Sequence, residues 1–200
     1  MRMPAVEKKV WTVADVRRLR DEQEARPPGE RRVRYEVVDG ELLVTAVPRP
    51  PHQRAVRELG RTLDDYVRAH RVAEVFPLGI DLELDAANGY VPDLSVVPLV
   101  DGRPIRTWEE LGRLLLVVEV LSPSTARYDR LKKRVRYQQA DIPEYWIVDL
   151  DARIVERWRP EDERPEILAD TLVWHPAGAP KPLQIELPAY FASAWGEGAV

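Results

Sequence analysis

The sequence predicts an α/β protein: a mixed β-sheet flanked by helices, with a helix and hairpin at the amino end and additional strands at the carboxyl end. Three observations carry that prediction. The stretch His52 to His70 presents Val56, Leu59, Leu63, Tyr66 and Val67 at helical spacing. The run Leu114-Leu115-Leu116-Val117-Val118-Glu119-Val120-Leu121 is apolar at nearly every position, as in a strand buried on both faces. Short β-rich segments bounded by Asp-Gly, Asn-Gly and proline alternate with the helical ones.

In order along the chain, Thr12 to Glu24 reads as a helix capped by Thr12, with Val13, Val16 and Leu19 on one face. Arg26-Pro27-Pro28-Gly29 ends it. Tyr35 to Val44 forms a hairpin turning at Asp39-Gly40, because both turn positions favour φ > 0. Pro48 to Pro51 breaks the chain before the long helix. Strands are expected at Ala73 to Leu84 and Val91 to Val97, with Asn88-Gly89 as the turn between them. A helical turn near Trp108 to Leu111 precedes the central strand, Leu114 to Leu121. A basic helix follows at Thr125 to Ala140. Tyr145 to Leu150 pairs with Arg153 to Trp158 across Asp151-Ala152. The proline-rich remainder, Pro160 to Val200, carries short strands near Leu168 to Trp174 and Leu183 to Leu187. The expectation is one domain over residues 1–200, with its core at about 30–160 and an extension at about 161–200.

Hydrophobic residues make up 44% and charged residues 32%, an ordinary balance for a globular domain. No apolar run approaches the roughly 18 residues of a membrane span, and Met1 to Val10 lacks the apolar core of a signal peptide. A cytoplasmic protein without membrane partners is therefore expected. Without cysteine, any metal must be held by oxygen or histidine. A net charge of −4 argues against a general nucleic-acid coat, yet Arg127 to Arg136 concentrates six basic residues around Asp129. Only five of the 30 basic residues are lysines, so Lys132 and Lys133 stand out inside this helix as compact point charges.

Two acids sit where acids are costly. Glu119 interrupts the apolar central strand, and Asp93 follows Pro92 in another apolar run. A buried carboxylate without a partner costs several kcal/mol or takes up a proton. Two of them on neighbouring strands are more readily explained by a shared metal ion, with a nearby lysine completing the set that a metal-dependent phosphodiesterase requires, than by Glu119 pairing with an arginine or capping a helix. Asp129, Lys133 and Tyr137 form one stripe at four-residue spacing, with Leu131 and Val135 on roughly the opposite side. Taken alone, Asp129 and Lys133 read as a surface ion pair of about 0.3–0.5 kcal/mol. Glu36 is a further candidate acid at a strand end. His52, at the start of the long helix, suits a metal ligand, a phosphate contact or a packing residue. His70 and His175 have no partners at metal spacing, and the scattered tryptophans read as core or rim.

These motifs resemble the Uma-type family of putative restriction endonucleases, within the PD-(D/E)xK nuclease superfamily. The resemblance rests on Tyr35-Glu36-Val37-Val38-Asp39-Gly40-Glu41, His52 and Val91-Pro92-Asp93. It continues through Val118-Glu119-Val120-Leu121-Ser122-Pro123-Ser124, the Asp129, Lys133, Tyr137 stripe, and Ile142-Pro143-Glu144-Tyr145-Trp146-Ile147-Val148-Asp149. It covers about residues 12 to 190. The superfamily's simplest pattern puts lysine two residues after the glutamate; here that position is Leu121, so the lysine must come from the following helix, at Lys133.

The resemblance implies a restriction-endonuclease-like fold and a metal-dependent endonuclease acting on DNA. Asp93, Glu119 and the backbone carbonyl of Val120 would hold Mg²⁺ or Mn²⁺. Lys133 would orient or deprotonate the attacking water, or neutralise charge on the phosphate. Asp129 and Tyr137 would support it, Glu36 would reach a second metal or tune Lys133, and His52 joins the candidate catalytic set. Arg130, Arg134 and Arg136 would hold backbone phosphates. A homodimer is expected, because cutting two strands usually takes two sites. The rival readings are a non-catalytic binding or assembly module on the same fold and a structure-specific nuclease such as a junction resolvase.

Overall fold

The structure, a computed structural model, describes residues 9–27, 32–77 and 80–197. It folds as two compact units, one within Met1–Val47 and Asp81–Tyr90, the other within Pro48–Ile80 and Val91–Val200.

The first unit holds helix α1 (Val13–Glu24) and strands β1 (Arg34–Val38), β2 (Glu41–Thr45), β4 (Leu82–Asp85) and β5 (Asn88–Tyr90). Thr12 caps α1 in a reciprocal box: its hydroxyl accepts from the Asp15 N–H, and the Asp15 carboxylate accepts from the Thr12 N–H. The helix ends at Glu24; of the expected terminator, Pro28 and Gly29 lie outside the described residues. The β1–β2 hairpin turns at Asp39 (φ 50) and Gly40 (φ 71), as expected of a two-residue loop with φ > 0 at both positions. The four strands form an antiparallel sheet in the order β2-β1-β5-β4.

Asn88-Gly89 is not the turn expected from the sequence. The turn falls at Ala86-Ala87, and both residues belong to β5. The Asn88 side chain is buried and accepts from the Asp39 N–H and the Tyr90 hydroxyl while donating to Asp85. At Gly89 a β-carbon would lie 2.8 Å from a Val13 methyl, so glycine serves close packing there, not reversal of the chain.

The second unit holds α2 (Pro50–His70), β3 (Ala73–Pro77), β6 (Leu94–Pro98), β7 (Leu116–Val120) and β8 (Tyr145–Asp149). It continues with β9 (Ile154–Trp158), β10 (Glu166–Leu168), β11 (Thr171–Trp174), β12 (Leu183–Glu186) and α5 (Leu187–Trp195). Between β7 and β8 a helical stretch runs as α3 (Ala126–Tyr128), a π-helical turn (Asp129–Lys133) and α4 (Arg134–Gln139). Six strands form a mixed sheet in the order β10-β9-β8-β7-β6-β3, with β7–β8 the one parallel pair among the described strands. The expected strand Ala73 to Leu84 is thus divided between two sheets, as β3 and β4. Helix α5 lies in the remainder for which only short strands are expected; Pro188 falls in its first turn, where proline is tolerated.

Register sorts the side chains of the six-stranded sheet by face. Val118, Val120, Trp146, Val148 and Val155 join Val56, Leu59, Leu63 and Val67 of α2 and Phe191 of α5 in one apolar core. Gly60 lets α2 approach the sheet, where a β-carbon would come within 3.1 Å of Leu94. Glu119 is paired with Ile147 and Ile147 with Glu156, so these three share the opposite face. That face receives the helical stretch that carries Lys133. Among the described residues, no helix is long and apolar enough to cross a membrane.

Candidate active site

The site lies in the second unit, at the end of β7 where the chain leaves the sheet. Glu119, buried to 3% exposure, points to the helical face because β7 alternates strictly and its other residues are apolar. Asp93 precedes β6 by one residue and is likewise buried. Its Oδ2 accepts from the Val120 N–H at 2.9 Å, which ties the two acid-bearing strand ends together. The same oxygen lies 3.1 Å from His52 Nε2, supplied by the first turn of α2.

Lys133 is 1% exposed. Its ammonium lies 2.9 Å from Glu119 Oε1 and 3.3 Å from Asp129 Oδ1. Tyr137 donates its hydroxyl to Glu119 Oε1 at 3.3 Å, and its ring packs tilted against that of Tyr145, with centroids 4.7 Å apart; the Tyr145 hydroxyl donates to the Asp129 carbonyl. Burial, reinforced by the charges of Asp129 and Glu119, pushes the Tyr145 hydroxyl well above the ordinary tyrosine pKa, so it stays a neutral donor. Tyr190 is raised in the same way, by burial and then by Asp93.

The stripe expected on a regular helix is thus buried as a unit: Asp129, Lys133 and Tyr137 face the sheet, while Leu131 stands 58% exposed. The turn bearing it is π-helical, however, closed by the Arg134 N–H to the Asp129 carbonyl. Single π turns interrupt α-helices mostly at functional sites. Lys132 points elsewhere, its ammonium 5.3 Å from the Tyr128 ring.

Four other candidates remain to be placed. Arg130, partly exposed, engages two carboxylates: Nε donates to Glu156 at 2.6 Å and Nη2 to Asp149 at 2.8 Å. Arg134 donates to Gln138 and stacks on Trp158. Arg136 donates to Gln139 on the exposed side of α4. The Arg130 and Arg134 guanidinium groups thus have partners within the fold. Glu36 belongs to the first unit, buried on β1 opposite Leu43. Tyr145 was missed. Its signal was present, since strand period places it on the same face as Ile147, beside Glu119.

The donor set suits a hard cation. Glu119 and Asp129 share the Lys133 ammonium, while Asp93 faces the Val120 N–H and His52, so the oxygens on offer are carboxylates, the donors a hard cation takes. Among the described residues no group of three or more His, Cys, Asp or Glu side chains forms a metal cage. Mg²⁺ does not require one, since it commonly binds one or two carboxylates and keeps several waters.

Acids at adjoining strand ends of a mixed sheet thus meet a lysine from the helical stretch that follows β7. A crystal structure of a putative nuclease belonging to DUF820, from Anabaena variabilis ATCC 29413, is similar to this chain. The two share 24% identity with a TM-score of 0.64, over 87% of this chain and 97% of that one. The family Uma2, described as "Putative restriction endonuclease", matches residues 20–187, and the chain belongs to it. No curated protein matches the chain.

Proposed function

We propose that the protein is a metal-dependent endonuclease that hydrolyses phosphodiester bonds in DNA. The observation that carries this reading is the Lys133 ammonium held 2.9 Å from Glu119, a buried acid joined through Val120 to Asp93. Asp93, Glu119 and the Val120 carbonyl are the groups we assign to Mg²⁺ or Mn²⁺. When bound, such an ion polarises a phosphoryl oxygen and makes its water a better nucleophile.

The chain's own residues do the rest. The Val120 N–H and His52 hold the Asp93 carboxylate in one orientation. Tyr137 does the same for Glu119. Lys133 brings a positive charge to the place where negative charge grows on the phosphate, and its burial strengthens that interaction. It can also orient the attacking water through one of its three N–H groups. DNA as substrate rests on the family description, and a homodimer would supply one site for each strand.

The test is incubation of the protein with supercoiled plasmid, linear duplex and single strands in Mg²⁺ or Mn²⁺, then with chelator. Nicked or linear product that disappears with chelator, and falls at least about 100-fold in Asp93→Asn, is the expected result. Cleavage that survives both changes would overturn the assignment, as would failure to cut every nucleic acid under all conditions.

A further inference from the structure

Sequence alone casts Arg130 as a phosphate contact, but its surroundings give it another task. It sits inside the π-helical turn, three residues before Lys133. A π turn is rarer than an α turn, and this one is flanked by support from outside the helix. Here the support comes from two cations gripping one row of the sheet. Lys133 grips Glu119 on β7, and Arg130 grips Glu156 on β9, with Ile147 of β8 between them in register. The Arg130 guanidinium also closes on Asp149 at the end of β8, so a planar fork engages two carboxylates from different strands. Asp149 is itself held, its other oxygen accepting from the Ala152 N–H in the β8–β9 turn.

We propose that Arg130 is the positioning residue for Lys133. By closing on Asp149 and Glu156 it fixes the rotation of the π turn that keeps the Lys133 ammonium on Glu119. This rests on the proposed nuclease chemistry for its effect on rate, but the geometric claim can be read without any cleavage. Two cations three positions apart tie this one turn to β7 through Glu119 and to β8 and β9 through Asp149 and Glu156, so a change in its rotation moves both. Release of either loosens the other.

The test combines kinetics with direct observation of the lysine. Arg130→Met should lower kcat by about 100-fold, the loss that a misplacement of about 1 Å brings, with KM and Mn²⁺ affinity within about twofold of the native protein. Arg130→Lys should recover only part of this, because one ammonium cannot engage both carboxylates as the fork does. In a Lys133→Met background, Arg130→Met should cost nothing further, since residues acting as a unit are not additive. Independently of activity, the Lys133 ammonium should give a slowly exchanging NMR signal in the native protein that is lost in Arg130→Met. If Arg130→Met does not fold, Glu156→Gln, which keeps the shape, is read in the same way. A raised KM with unchanged kcat would make Arg130 a phosphate contact and overturn the proposal. A Lys133 signal unchanged in the folded variant would overturn it as well. Should the native protein cut nothing, the nuclease reading fails while the NMR comparison still decides the positioning claim.

Discussion

The two faces of the six-stranded sheet are built from the same strands and differ in almost every other respect. Against α2 and α5, the sheet presents Val118, Val120, Trp146, Val148 and Val155, all in one apolar cluster. Against the helical stretch after β7, the alternate residues Glu119, Tyr145 and Glu156 meet Lys133, Tyr137 and Arg130. The first face contributes stability through burial, at about 25 cal/mol per Å² of apolar surface. The second face spends stability on desolvating charges that return it only if every partner stays in place. One strand thereby anchors the fold with its even-numbered residues and carries candidate chemistry with Glu119.

Four substitutions would break or sharpen that contrast. Lys133→Met should have the largest effect. It leaves Glu119 buried beside Asp129 without its cation, at a cost of about 3–5 kcal/mol, and should lower cleavage at least about 100-fold. Denaturant unfolding together with plasmid turnover measures both; intact stability with full turnover would show that the polar face is idle. Trp146→Ala, on the other face, should destabilise by a similar 3–5 kcal/mol through a cavity next to Trp174. Turnover per folded molecule should stay unchanged, so a specific loss of kcat would show that the two faces are coupled. Tyr137→Phe removes one hydroxyl from Glu119 and should cost about 1 kcal/mol with a several-fold drop in kcat.

The smallest effect concerns pH. Burial works against the Asp149 charge, but the Ala152 N–H and Arg130 more than offset it, holding the carboxyl below its usual range. A depressed folded pKa means that the stabilisation is present above the unfolded value of about 3.9 and is lost as pH falls through the folded value. Arg130 and Asp149 are both partly exposed, so the contribution is under about 1 kcal/mol. The stability gap between native protein and Asp149→Asn should be measurable by denaturant at pH 7 and shrink toward pH 3. A gap that widens on acidification would contradict the pairing.

Much of this was readable from residues, and the reasons are physical. The Asp39-Gly40 turn, the Thr12 cap and the apolar side of α2 depend on local chemistry or on period, both of which a sequence displays. Glu119 stood out because nothing near it in sequence is polar. What escaped depended on partners distant in the chain. The partner of Glu119, Lys133, lies 14 residues on, so Glu119→Gln weakens a buried ion pair that the strand sequence does not display. Arg130 read as a phosphate contact because Asp149 and Glu156 are 19 and 26 residues away. Asn88-Gly89 has a turn composition, yet Asp39 and Val13 claim its side chain and its missing β-carbon. The π turn has no composition signature, since Asp129 to Lys133 would suit a regular helix equally well.

The most direct test of the cation site is Mn²⁺ titration of the native protein and of Asp93→Asn, followed by the electron paramagnetic resonance of the free ion. Asparagine keeps the shape at position 93 and can still accept from the Val120 N–H, while removing one negative oxygen. The native protein should take up Mn²⁺ at a single site, and the folded variant should bind at least about tenfold more weakly, a difference of about 1.4 kcal/mol. Equal uptake by both proteins, or none by the native protein, would contradict the account.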